Sequence, residues 1–598
     1  MPQFGRLPRA ASFLAGIVLF NSHCGQHAGS TAAGSADSAF YLLADDYLQG
    51  SLNWRPQSGV QLGFHQYDNK ITDFSKASID GEVQRMNAVA AKMAALDTES
   101  LSHRAFIDYR LMRADLEGAL FSIEDARVYQ QNPMAYAYAV DINNYIKRDF
   151  APLDDRVRSI IAVEKQLPAM YVDAKTNLDD SLPRPLVETA IKISQGTVGF
   201  LSKDLVTALA PVKNDTLMAA FRAANYAAIA AINDYSVWLQ KEKLPKANER
   251  YALGEEKYRK FLRINELVDL SPEKVLETGM AELRREQAVF NAAARVIDPN
   301  KPAIEVYHDV EKEHATADSL IPDAKRHVEA IRQFLIDHGI ISMPSEVRVK
   351  VEETPPYARE TSTASNDDPG PFETRATEAY YYITPVDPHW TARQKEDWLA
   401  SFNYYTTDNV TIHEAYPGHY TQYLHLKASD ANKYEKIWSN YAFVEGWAHY
   451  CEKMMMDEGF GMNHGDSVTA AKYRLAQSGD ALLRICRLCV SVKTHCQGMT
   501  MDQATKFFMD NWYQGQEPSR LEALRGTFDP GYLFYTLGKL EILKLRDDYQ
   551  RQEGSHYSLK AFNDAMVDHG QPPIRLLREI LLKDSSEWGN LLPDESAK

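Results

Sequence analysis

Two histidines, His413 and His419, and the acid beside the first, Glu414, are the residues whose types speak most directly of chemistry in this 598-residue chain. Imidazole nitrogens ligate transition metals, and a carboxylate next to a ligand can act as a base. In the zinc-peptidase helix motif H-E-x-x-H the histidines are four residues apart, about 400° of turn, and share a face. Here "HEAYPGH" sets them six apart, about 600°, which on an unbroken helix leaves them about 120° out of register. Pro417 and Gly418 stand between them. Proline has no N–H to give to residue 413 and its ring clashes with that carbonyl. Glycine accepts the backbone angles of a restart. A helix broken there, with two residues looped out, returns His419 to the place of the fourth residue. The competing reading is a pair of structural histidines.

A catalytic zinc takes three protein ligands and keeps a position open. "YAFVEGWAHYCEKMM" (441–455) offers the third, Glu445, with enough chain after His419 for a second helix to double back beside the first. Gly446 removes a side chain next to that carboxylate and permits close approach. Glu452 lies two turns further on the same face, where it could hydrogen-bond and orient a ligand histidine. His449, four residues from Glu445, could compete as a ligand, and surface charges are the alternative role for both acids.

The elements that must position these groups are mostly helical. "DGEVQRMNAVAAKMAALD", "HRAFIDYRLMRADLEGALFSIED", "NDTLMAAFRAANYAAIAAINDYSVWLQKEK" and "SPEKVLETGMAELRREQAVFNAAARVI" repeat apolar residues at three- and four-residue intervals. Ser271-Pro272-Glu273 is a helix start, a capping residue followed by proline at the first turn. One interval departs from helix. "SEVRVKVEE" (345–353) alternates as a half-exposed strand, a loop rich in Pro, Ser, Asp and Gly follows, and "EAYYYITP" (378–385) reads as a second strand. Such a strand just before the histidine helix could hold a peptide by backbone pairing, with Tyr381 as a substrate contact. Burial of Tyr380, Tyr381 and Tyr382 against helices is the alternative.

A net charge of −16 argues against nucleic acid or an anionic membrane as partner, and no apolar run reaches the length of a membrane span. Arg6 and Arg9 before "AASFLAGIVLF" read as an export signal over residues 1–24. Cys24 is a candidate for a lipid anchor, and cleavage near "GSTAAGSADS" is the competing outcome. Residues 25–38 read as a flexible linker, 39–345 as an N-terminal helical region and 346–598 as the catalytic region. Cys451, Cys486, Cys489 and Cys496 could form disulfides in an oxidising compartment. "CRLCVSVKTHC" could instead hold a second metal with His495, or the thiols could lie on the inner face of a helix.

"HEAYPGHYTQ" followed by "VEGWAHYCE" resembles the paired H-E-x-x-P-G-H-x-x-Q and E-G-W-A-x-Y-x-E motifs of a bacterial family catalogued as domain of unknown function 885. "GFHQYDNKITDFS", "YALGEEKYRKFL" and "YTLGKLEILKLR" extend the likeness over nearly the whole mature chain. That family in turn resembles the mostly helical gluzincin metallopeptidases, such as thimet oligopeptidase, angiotensin-converting enzyme and carboxypeptidase Taq. The resemblance implies one zinc ion on His413, His419 and Glu445, with Glu414 as general base. It also implies Tyr535 as oxyanion donor, with Tyr532 as rival because the spacing from Pro530-Gly531 is one residue short. His495 matches a family histidine suited to the same task, although the residues before it read Ser491-Val492-Lys493 instead of the family's Asp-Thr-Gly. Arg487 and Arg525 match positions that could pair with a substrate carboxylate, or with an acid such as Glu522. The expectation is a mainly α, multi-helix fold with a central cleft and a small sheet beside the active-site helix. Its function would be an exported zinc metallopeptidase acting on short or unfolded peptides. A hydrolase of non-peptide amides and a non-catalytic binding protein are the alternatives.

Overall fold

The apolar spacings form helices where they occur, and the capping residues stand at their starts. The segment from residue 271 becomes a helix over Pro272–Ile297, with the Ser271 side chain accepting from the Lys274 N–H. The Ala-rich segment becomes a helix over Asp215–Trp238 capped by Asn214. The computed structural model describes residues 28–355, 359, 362–462 and 466–593. The expected export signal and Cys24 lie outside the described residues. A first helix, α1 (Ala28–Trp54), begins within the stretch read as a linker. No helix among the described residues is long and apolar enough to cross a membrane.

The protein is mainly α-helical, with one small three-stranded sheet. Two apolar cores organise it. One runs from Phe40 to Leu239 and is joined by Ala376, Tyr434, Trp438 and Leu576 from later in the chain. The other runs from Tyr258 to Leu592. Helices on both sides of residue 345 share this second core, so the onset of strand pattern there marks no change of core. It contains α2 (Tyr404–Glu414), α3 (His419–Ala428), α4 (Tyr441–Asp457), α5 (Ser467–Gln497) and α6 (Phe534–Glu553).

The strands are β1 (Lys350–Glu353), β2 (Ala364–Asp367) and β3 (Tyr380–Ile383), in the order β1-β3-β2. β1 is parallel to β3 and begins five residues later than the alternation suggested; β2 is antiparallel to β3 and lies in the segment read as a loop. The register sets Tyr381 between Val351 and Asn366. Tyr380 and Tyr382 stack on one face with centroids 5.3 Å apart, while Tyr381 turns inward, fully buried, its hydroxyl 3.2 Å from Thr411 Oγ1. All four cysteines of the described chain are free thiols, with Cys451, Cys486 and Cys489 buried. The inner-face reading holds, and neither disulfides nor a second metal group forms among the described residues.

Candidate metal centre

The break between the histidines is local and sterically determined. α2 stops at Glu414, the Tyr416–Pro417 peptide is cis, and α3 starts at His419. The Gly418 N–H donates to the Ile412 carbonyl at 3.0 Å, and the Trp447 indole N–H donates to the Pro417 carbonyl at 3.0 Å. A Cβ on Gly418 would lie 1.8 Å from the His413 carbonyl oxygen, so no side chain fits there. The two imidazoles meet with ring centroids 4.8 Å apart and planes at 90°. Glu445 Oε2, from α4, lies 3.4 Å from His413 Nε2 and 3.5 Å from His419 Nε2. The three ligand atoms fall within 4.8 Å of one another, and no other such group occurs among the described residues.

Glu445 Oε2 is buried with no hydrogen-bond partner, an orphan that a cation would satisfy. His413 Nδ1 lies 2.6 Å from Glu452 Oε1, and Glu452 Oε2 lies 3.1 Å from His449 Nδ1. The guanidinium of Arg484, on α5, lies 3.2 Å from Glu452 Oε1. Burial works to lower the pKa of His413, but the carboxylates of Glu445 and Glu452 beside its two ring nitrogens push it up to about 9. Burial works to raise Glu445, yet the two imidazoles hold it well below the usual carboxylate range. The site therefore favours positive charge between these groups. His449 stands outside the cluster; burial and the nearby Lys539 push it down to about 3, and it serves as a neutral partner of Glu452.

α4 reaches this position by crossing α6 at two glycines. A Cβ on Gly446 would come within 2.6 Å of the Gly538 backbone, and one on Gly538 within 1.9 Å of the Ala442 carbonyl. The same crossing sets Tyr535, one turn before Gly538, at 6.4 Å between its ring centroid and that of His413. Three guanidiniums surround the Tyr535 ring, Arg487 at 5.2 Å and Arg484 and Arg525 at 5.9 Å. Tyr532 is fully buried against Gly526 and faces away from the cavity, which leaves Tyr535 as the tyrosine of the site.

β2 forms the opposite wall. The Asn366 N–H donates to Glu414 Oε2 at 3.0 Å, which aims the Glu414 carboxylate along the edge of the sheet. The cleft between them has a volume of about 440 Å³ and is bordered by Asn366, Asp368, His413, Glu414, His419, Gln422, Glu445, Tyr535 and Gln571, among others. Burial pushes Asp368 up to about 7.

Of the residues read as functional, His413, Glu414, His419, Glu445 and Tyr535 border this cavity, with Glu452 behind His413. Four do not. Tyr381 is a core residue. His495 donates from Nε2 to the Gly526 carbonyl at 2.9 Å and accepts the Leu253 N–H at Nδ1. It lines a separate cavity of about 930 Å³ and ties backbone segments together. Arg487 makes a two-pronged pair with Glu522 at 2.7 Å, and Arg525 pairs with Asp529 at 2.9 Å and with the Tyr441 hydroxyl at 3.2 Å. Both arginines are committed to acids and support the Tyr535 ring. Asn366, Asp368, Arg484 and Gly538 were not singled out from the sequence; "ASNDD" in a loop and a glycine after "YTL" marked three of them, and nothing marked Arg484.

No curated protein matches the chain. Among solved structures, a candidate lipoprotein of unknown function from Shewanella oneidensis is 25% identical, with a TM-score of 0.76 over 91% of this chain and 100% of that one. A candidate lipoprotein from Colwellia psychrerythraea is 17% identical, with a TM-score of 0.72 over 94% and 99%. A Pyrococcus furiosus carboxypeptidase aligns over 95% of this chain and 98% of its own at 11% identity, but its TM-score of 0.33 supports no shared fold. The expected likeness to gluzincin peptidases rests on the motif residues. The model of one family matches residues 56–581, a span that takes in every residue of the cavity. The chain belongs to that family, DUF885, bacterial proteins of unknown function.

Proposed function

We propose that the protein is an exported metallopeptidase that hydrolyses peptide bonds of short or unfolded peptides at the His413/His419/Glu445 centre. The observation that carries this reading is the convergence of two Nε2 atoms on a partnerless buried carboxylate oxygen, with a further carboxylate, Glu414, on the same cavity. Two imidazoles and one carboxylate suit zinc, and the rise of His413 expresses the same preference for positive charge with a proton in the cation's place. When bound, zinc supplies a Lewis acid that makes a water nucleophilic near neutral pH and polarises a carbonyl.

The chain's own groups account for the rest. Glu452 accepts the His413 Nδ1–H and so turns the Nε2 lone pair toward the centre. Glu414, fixed at Oε2 by the Asn366 N–H, takes a proton from the attacking water at Oε1 and passes it to the leaving amine. The Tyr535 hydroxyl donates to the developing oxyanion, in a field made favourable by Arg484, Arg487 and Arg525. β2 is an edge strand beside the cavity, where an extended substrate can lie against it. Export is supported by the basic and apolar N-terminal residues and by two structural relatives described as lipoproteins.

Metal content and peptide hydrolysis of wild type and Glu414→Gln test the proposal. The variant keeps one zinc per chain and loses roughly 10²- to 10⁴-fold in kcat. Undiminished hydrolysis in Glu414→Gln, or none by zinc-loaded wild type on a broad peptide library, overturns it.

A further inference from the structure

The catalytic cavity shares a wall with a smaller one of about 260 Å³, and Asp368 borders both. The acids around Asp368 are matched by cations. Asp367 is paired with Lys147 and Arg148, each at 3.0 Å, and Glu373 with His65 at 2.8 Å. Asp368 makes no ion pair among the described residues. Its Oδ2 accepts from Asn366 Nδ2 at 2.6 Å, and its Oδ1 is shielded from solvent and has no partner. Asn366 Oδ1 is likewise shielded and partnerless. Each of these two hydrogen-bonded side chains thus keeps one acceptor oxygen without a donor, and buried acceptors are ordinarily satisfied.

The charge balance of the cavity points the same way. Its lining carries three carboxylates, Asp368, Glu414 and Glu445, and no lysine or arginine. The arginines nearest Tyr535 are each paired with an acid: Arg484 with Glu452, Arg487 with Glu522 and Arg525 with Asp529. A divalent cation at the histidines offsets two of the three charges, and Asp368 lies apart from the three ligand atoms. Burial favours the neutral acid at Asp368, so the third charge appears there when a positive group comes beside it, at a place built of acceptors. A substrate carboxylate would be repelled there. A primary ammonium, with three N–H donors and one positive charge, matches it.

We propose that Asp368 and Asn366 form a subsite that receives a primary ammonium group of the substrate, so that the centre selects peptides by a free amino terminus or a lysine side chain beside the scissile bond. This rests on the peptidase reading of the centre.

The test compares wild type, Asp368→Asn and Asn366→Ser on matched short peptides: free against N-acetylated amino termini, and lysine against norleucine. Wild type favours the ammonium-bearing member of one pair by about 10-fold or more in kcat/KM, and in Asp368→Asn that ratio collapses toward one. The acetylated pair and the norleucine pair separate the two sources of the ammonium. An equal preference in wild type, or a ratio that Asp368→Asn leaves unchanged, overturns the subsite. The same pairs are titrated calorimetrically against zinc-loaded Glu414→Gln, with and without Asp368→Asn. If wild type cleaves no peptide, the peptidase reading falls while binding still decides the subsite: about 10-fold tighter binding of the ammonium-bearing peptide, lost with Asp368→Asn, supports it, and equal binding removes it. Should Asp368→Asn not fold, Asn366→Ser, which keeps the N–H to Glu414, must itself shrink the ratio, and an intact ratio counts against the proposal.

Discussion

The crossing of α4 and α6 offers a perturbation that removes no proposed ligand and that the account requires to be harmful. In Gly538→Ala the added Cβ would start 1.9 Å from the Ala442 carbonyl oxygen, a contact that real Cβ atoms do not make below 3.0 Å. The helices must therefore part by about 1.1 Å at that point. Both neighbours are backbone, so no side chain can swing aside. Overpacking of this kind costs about 1–3 kcal/mol. The separation acts directly on Tyr535, one turn before Gly538, and on Glu445, adjacent to Gly446, and a displacement near 1 Å costs roughly 10²-fold in rate. The assay is kcat and KM on a cleaved peptide, zinc content, and the urea midpoint, with Gly81→Ala as control. Gly81 lies in an early helix with nothing within 4 Å of its added Cβ, and alanine there is neutral or stabilising by up to about 1 kcal/mol. Gly538→Ala should lose both rate and stability while Gly81→Ala keeps both. If the two variants match, the glycine crossing is not what positions the tyrosine.

Three further outcomes are expected. Glu452→Gln removes the charge that holds His413, His449 and Arg484, and zinc affinity measured by chelator competition should fall about 10- to 100-fold; unchanged affinity would mean that His413 is oriented by something else. Tyr535→Phe should keep its zinc and lose about 10²-fold in kcat with KM little altered, whereas full activity excludes the hydroxyl from the reaction. Glu164 is buried with neither carboxylate oxygen hydrogen-bonded, and burial pushes it from 4.5 up to about 8. Between those values the native protein holds a proton that the unfolded chain has released, so its contribution to stability is full below the lower value and is lost as pH rises to the upper, at roughly 1.4 kcal/mol per pH unit. The difference in urea stability between wild type and Glu164→Gln should therefore grow in the variant's favour from pH 5 to pH 8, and a difference independent of pH refutes the assignment.

The convergence of His413, His419 and Glu445 was legible because its logic is local. Pro417 and Gly418 announce the break between the histidines, and seven-residue spacing on one helix sets Glu452 behind Glu445. Gly446 signalled a close approach, but not to what; the partner, Gly538, lies about ninety residues on, and helix periodicity carries no information about such a crossing. β2 escaped notice because Ala364, Ser365, Asn366 and Asp367 have loop composition. The strand is held by pairing to β3 and by Lys147 and Arg148 from far upstream, contacts that no local pattern encodes. His495 misled for a related reason: a histidine at a familiar position says nothing of whether its ring meets a cavity or, as here, the Leu253 N–H and the Gly526 carbonyl. Tyr381 was decided by register, since its neighbours in sequence face the other side of the sheet.

Crystals of the zinc-soaked protein, with anomalous scattering recorded on both sides of the zinc absorption edge, test the central claim most directly. The account predicts a single strong peak per chain within bonding distance, about 2.0–2.2 Å, of His413 Nε2, His419 Nε2 and a Glu445 oxygen, absent in Glu445→Gln. A peak elsewhere, or none at the imidazoles under saturating zinc, contradicts it.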